Sequence, residues 1–70
     1  MLDEVLFMQV RLFRMFLEQA HIAPSEAEAV FSEQGIWAFI EDCYDALHLG
    51  SDECALADIT QKLALQGASW

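Results

Sequence analysis

Apolar side chains recur at helical spacing along four stretches of this chain, and no alternating strand pattern of useful length is present. The first stretch, residues 3–20, contains neither glycine nor proline, and Asp3 is placed to cap it. Apolar side chains cover about two-thirds of its circumference, which is typical of a helix that is central or also contacts a partner. We expect its core face to consist of Leu2, Val5, Leu6, Val10, Leu12, Phe13, Phe16, Leu17 and Ala20.

A second helix is predicted over residues 26–34, after a break at Pro24. Ser25 and Glu28 have the Ser-x-x-Glu spacing of a capping box, in which each side chain bonds the other residue's backbone N–H. Gly35 follows at the position where a left-handed residue commonly ends a helix. The inward positions are Ala27, Val30 and Phe31.

The third helix is predicted over residues 36–49, with Gly50 as its end. The start of the last helix stays open. In one alternative, Ser51 or Asp52 caps a helix that begins near residue 52. In the other, residues 51–57 are extended and Asp58 caps a shorter helix that ends at residue 66. The inward positions of both helices are Ile36, Phe39, Ile40, Cys43, Tyr44, Leu47, Leu56, Ile59 and Leu63. The pattern therefore predicts an all-α fold, a compact bundle of about four short helices forming one domain over residues 1–70.

Charge changes this picture, because the 70 residues carry 12 acidic side chains against 3 basic ones, a net charge of −9. Residues 1–20 sum to −1, whereas residues 26–58 contain nine acids and no lysine or arginine. A nucleic-acid partner or an anionic membrane surface needs a basic face, so we expect neither. A more basic protein is the partner that this charge favours.

The cellular location follows from what the sequence lacks. The longest uncharged run, residues 5–10, is too short to cross a membrane, and the first residues lack the positive region of a signal peptide. We therefore expect a cytoplasmic protein in which Cys43 and Cys54 are reduced.

The residue types of a zinc site are present in His21, Cys43, His48 and Cys54, with 21, four and five residues between them. Structural zinc sites usually contain close pairs such as Cys-x-x-Cys, so we expect no metal and no cofactor. A bundle of this size has little interior volume for a substrate cleft, so we expect no enzyme.

His48 lies in the last turn before Gly50, where its ring can bond a terminal carbonyl of the helix. We favour this structural role, and a contact with a partner is the alternative.

The sequence contains more large apolar side chains than a small core can bury. Aromatic residues and methionine are enriched in interface cores. The candidate protein-interface residues are Phe7, Met8, Met15, Trp37 and Trp70.

The middle of the chain resembles a small bacterial family of unknown function, whose members share a Tyr-x-x-Leu-His segment followed by an Asp-Ile pair. The positions that carry the resemblance are Ser25, Glu28, Gly35, Tyr44, Leu47, His48, Gly50, Asp58 and Ile59. The resemblance implies a helical protein without known catalytic residues. It also implies genes that neighbour predicted ADP-ribosyltransferase-like toxins, and hence an antitoxin or accessory role.

These observations predict a non-enzymatic, acidic protein-binding module, an antitoxin-like or accessory partner of a more basic protein. A homodimeric helical module, closed by the surplus apolar surface, is the alternative.

Overall fold

A computed structural model describes residues 3–68, and within this range every regular element is an α-helix. The all-α bundle that the sequence predicts is thereby confirmed. The elements are α1 (Glu4–Ala20), α2 (Pro24–Glu33), α3 (Ile36–Asp42), α4 (Tyr44–Leu47) and α5 (Asp52–Leu65).

Helix α1 is the central element, because α2, α3 and α5 all pack against it. Its buried line consists of Met8, Leu12 and Phe16, which are four residues apart and so lie one above another on the helix. The inward positions predicted for the later helices are buried or half-buried. The rest of the core consists of Ala27, Phe31, Ile36, Ile40, Leu47, Ala55, Leu56, Ile59 and Leu63.

Four aromatic rings join α1 to α2 and α3. Phe31 is the centre of this cluster: its ring centroid lies 5.3 Å from Phe13, 5.2 Å from Phe16 and 4.9 Å from Trp37. The side-chain amide of Gln9 donates a 2.9 Å hydrogen bond to the backbone carbonyl of Trp37. The Phe13 ring of α1 stacks on the Trp37 ring, and this stack and the Gln9 bond fix the rotation of α1 relative to α3.

That rotation differs from the predicted one. Leu6 and Val10 were expected in the core and are about half exposed, whereas Met8, expected at an interface, is 2% exposed. The predicted core position Leu2 lies outside the described residues. Because α1 is apolar over most of its circumference, periodicity predicts burial without fixing which part of the arc faces inward. The contacts of α1 with α2 and α3 determine which part of the arc is buried.

Helix α2 begins at Pro24, two residues earlier than predicted, and the predicted capping box is wrong. Proline suits the first helical position, since its φ is preset and its missing N–H would have no partner there. Ser25 therefore lies inside the first turn, Ala23 occupies the cap, and no side chain caps the helix. The Glu28 carboxylate instead accepts a 2.8 Å hydrogen bond from the Ser32 hydroxyl, one turn later. Gly35 is left-handed, with φ +70°, as predicted.

The single helix predicted over residues 36–49 is also wrong. Cys43, with φ −104° and ψ 11°, interrupts it between α3 and α4. The Cys43 N–H still donates to the Phe39 carbonyl at 2.9 Å, and the Leu47 N–H donates to the Cys43 carbonyl at 2.9 Å. The apolar stripe therefore continues across the break, which is why a periodic pattern did not reveal it.

Helix α5 starts at Asp52, so the longer of the two predicted helices is correct. The Ser51 hydroxyl caps it by accepting a 3.1 Å hydrogen bond from the Cys54 N–H. Asp58 lies within the helix and does not cap it.

Candidate protein-docking surface

The first half of α1 presents an apolar surface to solvent. Leu6, Phe7 and Val10 are 50%, 49% and 46% exposed, and they lie within two turns of one helix. We call these three residues the α1 patch. Scattered apolar side chains are normal on protein surfaces, but adjacent ones on a single helix face offer a contiguous contact area.

The three basic side chains of the protein differ in their surroundings. Arg11 forms a 3.1 Å salt bridge with Asp52, which ties α1 to the start of α5. Lys62 lies over the Phe39 ring, with its Nζ 5.2 Å from the centroid. Arg14 pairs with no described residue. Since residues 26–58 contribute nine acids and no cation, the surface that these residues present is strongly negative.

The candidate interface residues differ in their burial. Phe7 is exposed as expected, but Met8 is buried, so it cannot contact a partner. Met15 and Trp37 are half-buried and pack against the core, and the Trp37 ring stacks 5.3 Å from Phe13. Trp70 lies outside the described residues. Among the candidates that the structure describes, Phe7 therefore has the largest exposed fraction.

Sequence reasoning missed Leu6 and Val10 as surface residues because it assigned them to the core. The available signal was the width of the apolar arc on α1, which exceeds what one helix can bury in a small bundle. Phe7, predicted as an interface residue, lies on the part of this arc that the core leaves exposed.

Tyr44, His48 and Glu4 form a polar cluster between α1 and α4. The Tyr44 hydroxyl donates a 3.1 Å hydrogen bond to the Glu4 carboxylate, and its ring stacks on His48 with centroids 4.9 Å apart. Nδ1 of His48 lies 2.8 Å from the Tyr44 carbonyl oxygen, so the ring bonds a helix-terminal carbonyl as predicted. Two effects raise the pKa of Tyr44 above its ordinary value. Partial burial is the larger, and the hydrogen bond to Glu4 is the second.

The remaining motif positions divide between core and surface. Leu47 and Ile59 are buried, so packing accounts for them. Gly50 and Asp58 are exposed. Asp58 borders an open groove of about 310 Å³ between α3 and α5, with Phe39, Gln61, Lys62, Leu65 and Gln66.

A second open groove, of about 380 Å³, lies between α1 and α5. Leu56 is almost fully buried and Met15 is half-buried, so they form its floor, whereas the polar residues are exposed and form its rim. We call it the α1–α5 groove. Its lining consists of Met15, Glu18, Gln19, Glu53 and Leu56.

Residues 3–68 contain neither a metal-binding cluster nor a membrane-spanning helix. This range contains no group of three His, Cys, Asp or Glu side chains placed to hold a metal ion. None of its helices has the length and hydropathy needed to cross a bilayer. The thiols of Cys43 and Cys54 are free.

Residues 7–64 match the family model described as "Protein of unknown function (DUF3791)". The chain belongs to this family. The matched range includes every helix except the first turn of α1 and the last residue of α5, so the DUF3791 domain and the helical bundle coincide. The expectation of a family of unknown function is thereby confirmed. No curated protein and no solved structure matches the chain significantly.

Proposed function

We propose that this DUF3791 chain is a non-enzymatic protein-binding module that docks on a more basic protein, in an antitoxin-like or accessory role. The observation that supports this most is the α1 patch. Leu6, Phe7 and Val10 remain half exposed on the helix that the rest of the bundle packs against. Burying such a patch against a partner gives the apolar contact that holds most complexes together.

The distribution of charge supports a basic partner. The α1 patch itself consists of three apolar side chains, so a contact confined to it desolvates no charged group. The nine acids of residues 26–58 give the protein a negative potential, which attracts a basic surface and speeds its encounter. Apolar contact on α1 and acidic steering from the later helices are therefore compatible.

An antitoxin-like role requires only that binding covers a functional surface of the partner. Proteins that act on anionic substrates often have a basic active site, which an acidic module of this size can occlude. The neutralising role rests on the resemblance to a family encoded beside predicted toxins, and the cytoplasm is where such a pair would meet.

The test is co-expression of this chain with the product of the gene beside its own, followed by affinity capture. Leu6→Ser combined with Val10→Ser should reduce capture at least about tenfold, because two apolar contacts are lost. Leu49→Ser and Leu65→Ser are the matched controls, since these leucines are 80% and 81% exposed on other parts of the surface.

Circular dichroism should show that all variants remain folded. Equal loss of capture in the α1 and control variants, or no capture by the folded wild-type chain, would contradict the proposal.

A homodimer through the same α1 patch is the second candidate function. The low net charge of residues 1–20 favours it, because two copies could pair their α1 helices with little repulsion there. Sedimentation of the purified chain tests it. A monomer at micromolar concentration excludes the homodimer, and a dimer that Leu6→Ser with Val10→Ser dissociates supports it.

A further inference from the structure

The α1–α5 groove combines an apolar floor with carboxylates on both walls. Glu18 belongs to α1 and Glu53 to α5, while Met15 and Leu56 lie between them at the bottom. Within residues 3–68, neither carboxylate makes a hydrogen bond or an ion pair. An exposed acidic pair is ordinary on an acidic protein, but here it borders a groove that can hold a side chain.

The groove suits one kind of side chain better than others. A long aliphatic stem that ends in a cation can lie on Met15 and Leu56 and reach a carboxylate on either wall. Arginine fits better than lysine, since its planar, weakly hydrated guanidinium bonds carboxylates from two sides, and the methionine floor adapts to its shape.

We propose that the α1–α5 groove binds an arginine side chain from a helix of the partner protein. This inference rests on the proposed function, because the arginine belongs to the partner that the α1 patch contacts. A second copy of this chain is a poorer occupant, since it would bring its own charge of −9 to an acidic groove.

One edge of the α1 patch, at Phe7, lies on the same side of α1 as the groove wall at Glu18. Phe7, Arg11 and Glu18 are separated by four and seven residues, so they follow one side of α1. Two arginines lie between the two sites: Arg11 is already paired with Asp52, whereas Arg14 pairs with no described residue. From Phe7 to Glu18 the rise is about 16 Å. The partner helix should therefore present an apolar residue and an arginine about eleven residues apart.

The test uses acetyl-arginine amide as a probe, titrated to millimolar concentrations against the isotope-labelled chain and followed by NMR. We expect shifts in the methyl signals of Met15 and Leu56. Acetyl-citrulline amide, which keeps the shape of arginine without its charge, should bind more weakly. Glu18→Gln with Glu53→Gln should weaken arginine binding roughly fivefold.

The matched control is Glu26→Gln with Glu41→Gln. It removes the same charge from exposed sites elsewhere, and Glu26, like Glu53, lies in the first turn of a helix. Arginine binding should change little in this control. Equal weakening in both double variants, or shifts spread over the acidic surface, would overturn the groove assignment in favour of diffuse attraction.

Two further outcomes separate this inference from the proposed function. If Leu6→Ser with Val10→Ser abolishes partner capture while the groove variants capture normally, the proposed function stands and the arginine site is wrong. If the chain dimerises and both Arg14→Gln and the groove variants dissociate the dimer, the groove belongs to Arg14 of a second copy. That result also overturns the inference.

Discussion

The hydroxyl of Tyr44 donates a hydrogen bond of 3.1 Å to the carboxylate of Glu4, across 40 positions of sequence. The bond joins the first turn of α1 to the single turn of α4. It lies beside the stacked Tyr44 and His48 rings, so one tyrosine organises the contact between these two helices.

This contact predicts a specific alkaline titration. Partial burial and the hydrogen bond to Glu4 raise the pKa of Tyr44, the one tyrosine in the sequence, so its ionisation is observed without overlap from others. Glu4→Gln removes the negative charge beside the phenol and should lower the pKa of Tyr44 toward its ordinary value. The absorbance of tyrosinate against pH measures it, and Glu26→Gln, in the first turn of α2, should leave the midpoint unchanged.

The same shift fixes the sign of a stability effect. Because folding raises the pKa of Tyr44, the contribution to stability is complete below the ordinary tyrosine pKa and is lost as pH rises through the folded pKa. The melting temperature of the wild-type chain should therefore fall more steeply than that of Glu4→Gln above about pH 10. Parallel curves for the two proteins would show that the hydrogen bond does not matter for folding.

Ser51, which precedes α5, and Ser25, in the first turn of α2, should contribute differently to the free energy of unfolding. Ser51→Ala removes the hydroxyl that caps α5 and should destabilise the protein by about 1 kcal/mol. Ser25→Ala should change the free energy of unfolding by less than about 0.5 kcal/mol, since Ser25 makes no capping bond. Urea unfolding followed by circular dichroism measures both. A larger loss of stability in Ser25→Ala would indicate that Ser25 caps α2, which would contradict the structure.

Local signals account for most of what could be predicted from sequence. Asp3 caps α1, with the Leu6 N–H donating to its carboxylate at 3.0 Å, and Gly35 is left-handed, because caps and glycine stops depend on a few adjacent residues. The failures at Ser25 and Cys43 are also local. At Ser25 the preset φ of Pro24 outweighs a capping motif, and at Cys43 the apolar period runs through a break.

The candidate docking surface was less predictable because it depends on how the helices pair. The exposure of Leu6 and Val10 follows from the rotation of α1, which aromatic contacts with α2 and α3 determine. Glu18 and Glu53 are 35 positions apart, and their common groove exists only because α1 packs on α5. Periodicity gives each helix a buried side, but it carries no information about which helices become neighbours.

Two glycines provide a test of backbone conformation at matched substitutions. Gly35→Ala should destabilise the protein by about 1 kcal/mol, since φ is +70° and the added Cβ meets no atom within 4 Å, leaving backbone strain as the cause. Gly50→Ala should be neutral or slightly stabilising, because its φ is not positive and the Cβ would make an ordinary 3.8 Å contact with Cys54. Thermal melts measure both, and equal destabilisation at the two sites would contradict the left-handed assignment of Gly35.

Substitutions of Phe31 and Phe7 should differ in their effect on stability, because Phe31 is buried and Phe7 is half exposed. Phe31→Ala removes a fully buried ring at the centre of the aromatic cluster and should cost about 3–5 kcal/mol, enough to unfold a domain of this size. Phe31→Leu keeps most of the volume and gives a measurable loss if the alanine variant does not fold. Phe7→Ala should remain within about 0.5 kcal/mol of wild type in urea unfolding. A strongly destabilised Phe7→Ala would place Phe7 in the core and weaken the case for the α1 patch.

The salt bridge between Arg11 and Asp52 should make a small, salt-sensitive contribution. Both side chains are partly exposed, so Arg11→Gln should destabilise the protein by about 0.2–1 kcal/mol at low ionic strength, through loss of the tie between α1 and α5. Arg14→Gln removes the same charge from the same helix without breaking a described pair, so it reports the general effect of a more negative chain. The difference between the two variants should disappear at about 1 M salt, where exposed charges are screened. Equal losses at low salt would mean that net charge, and not the Arg11–Asp52 geometry, sets the electrostatic part of stability.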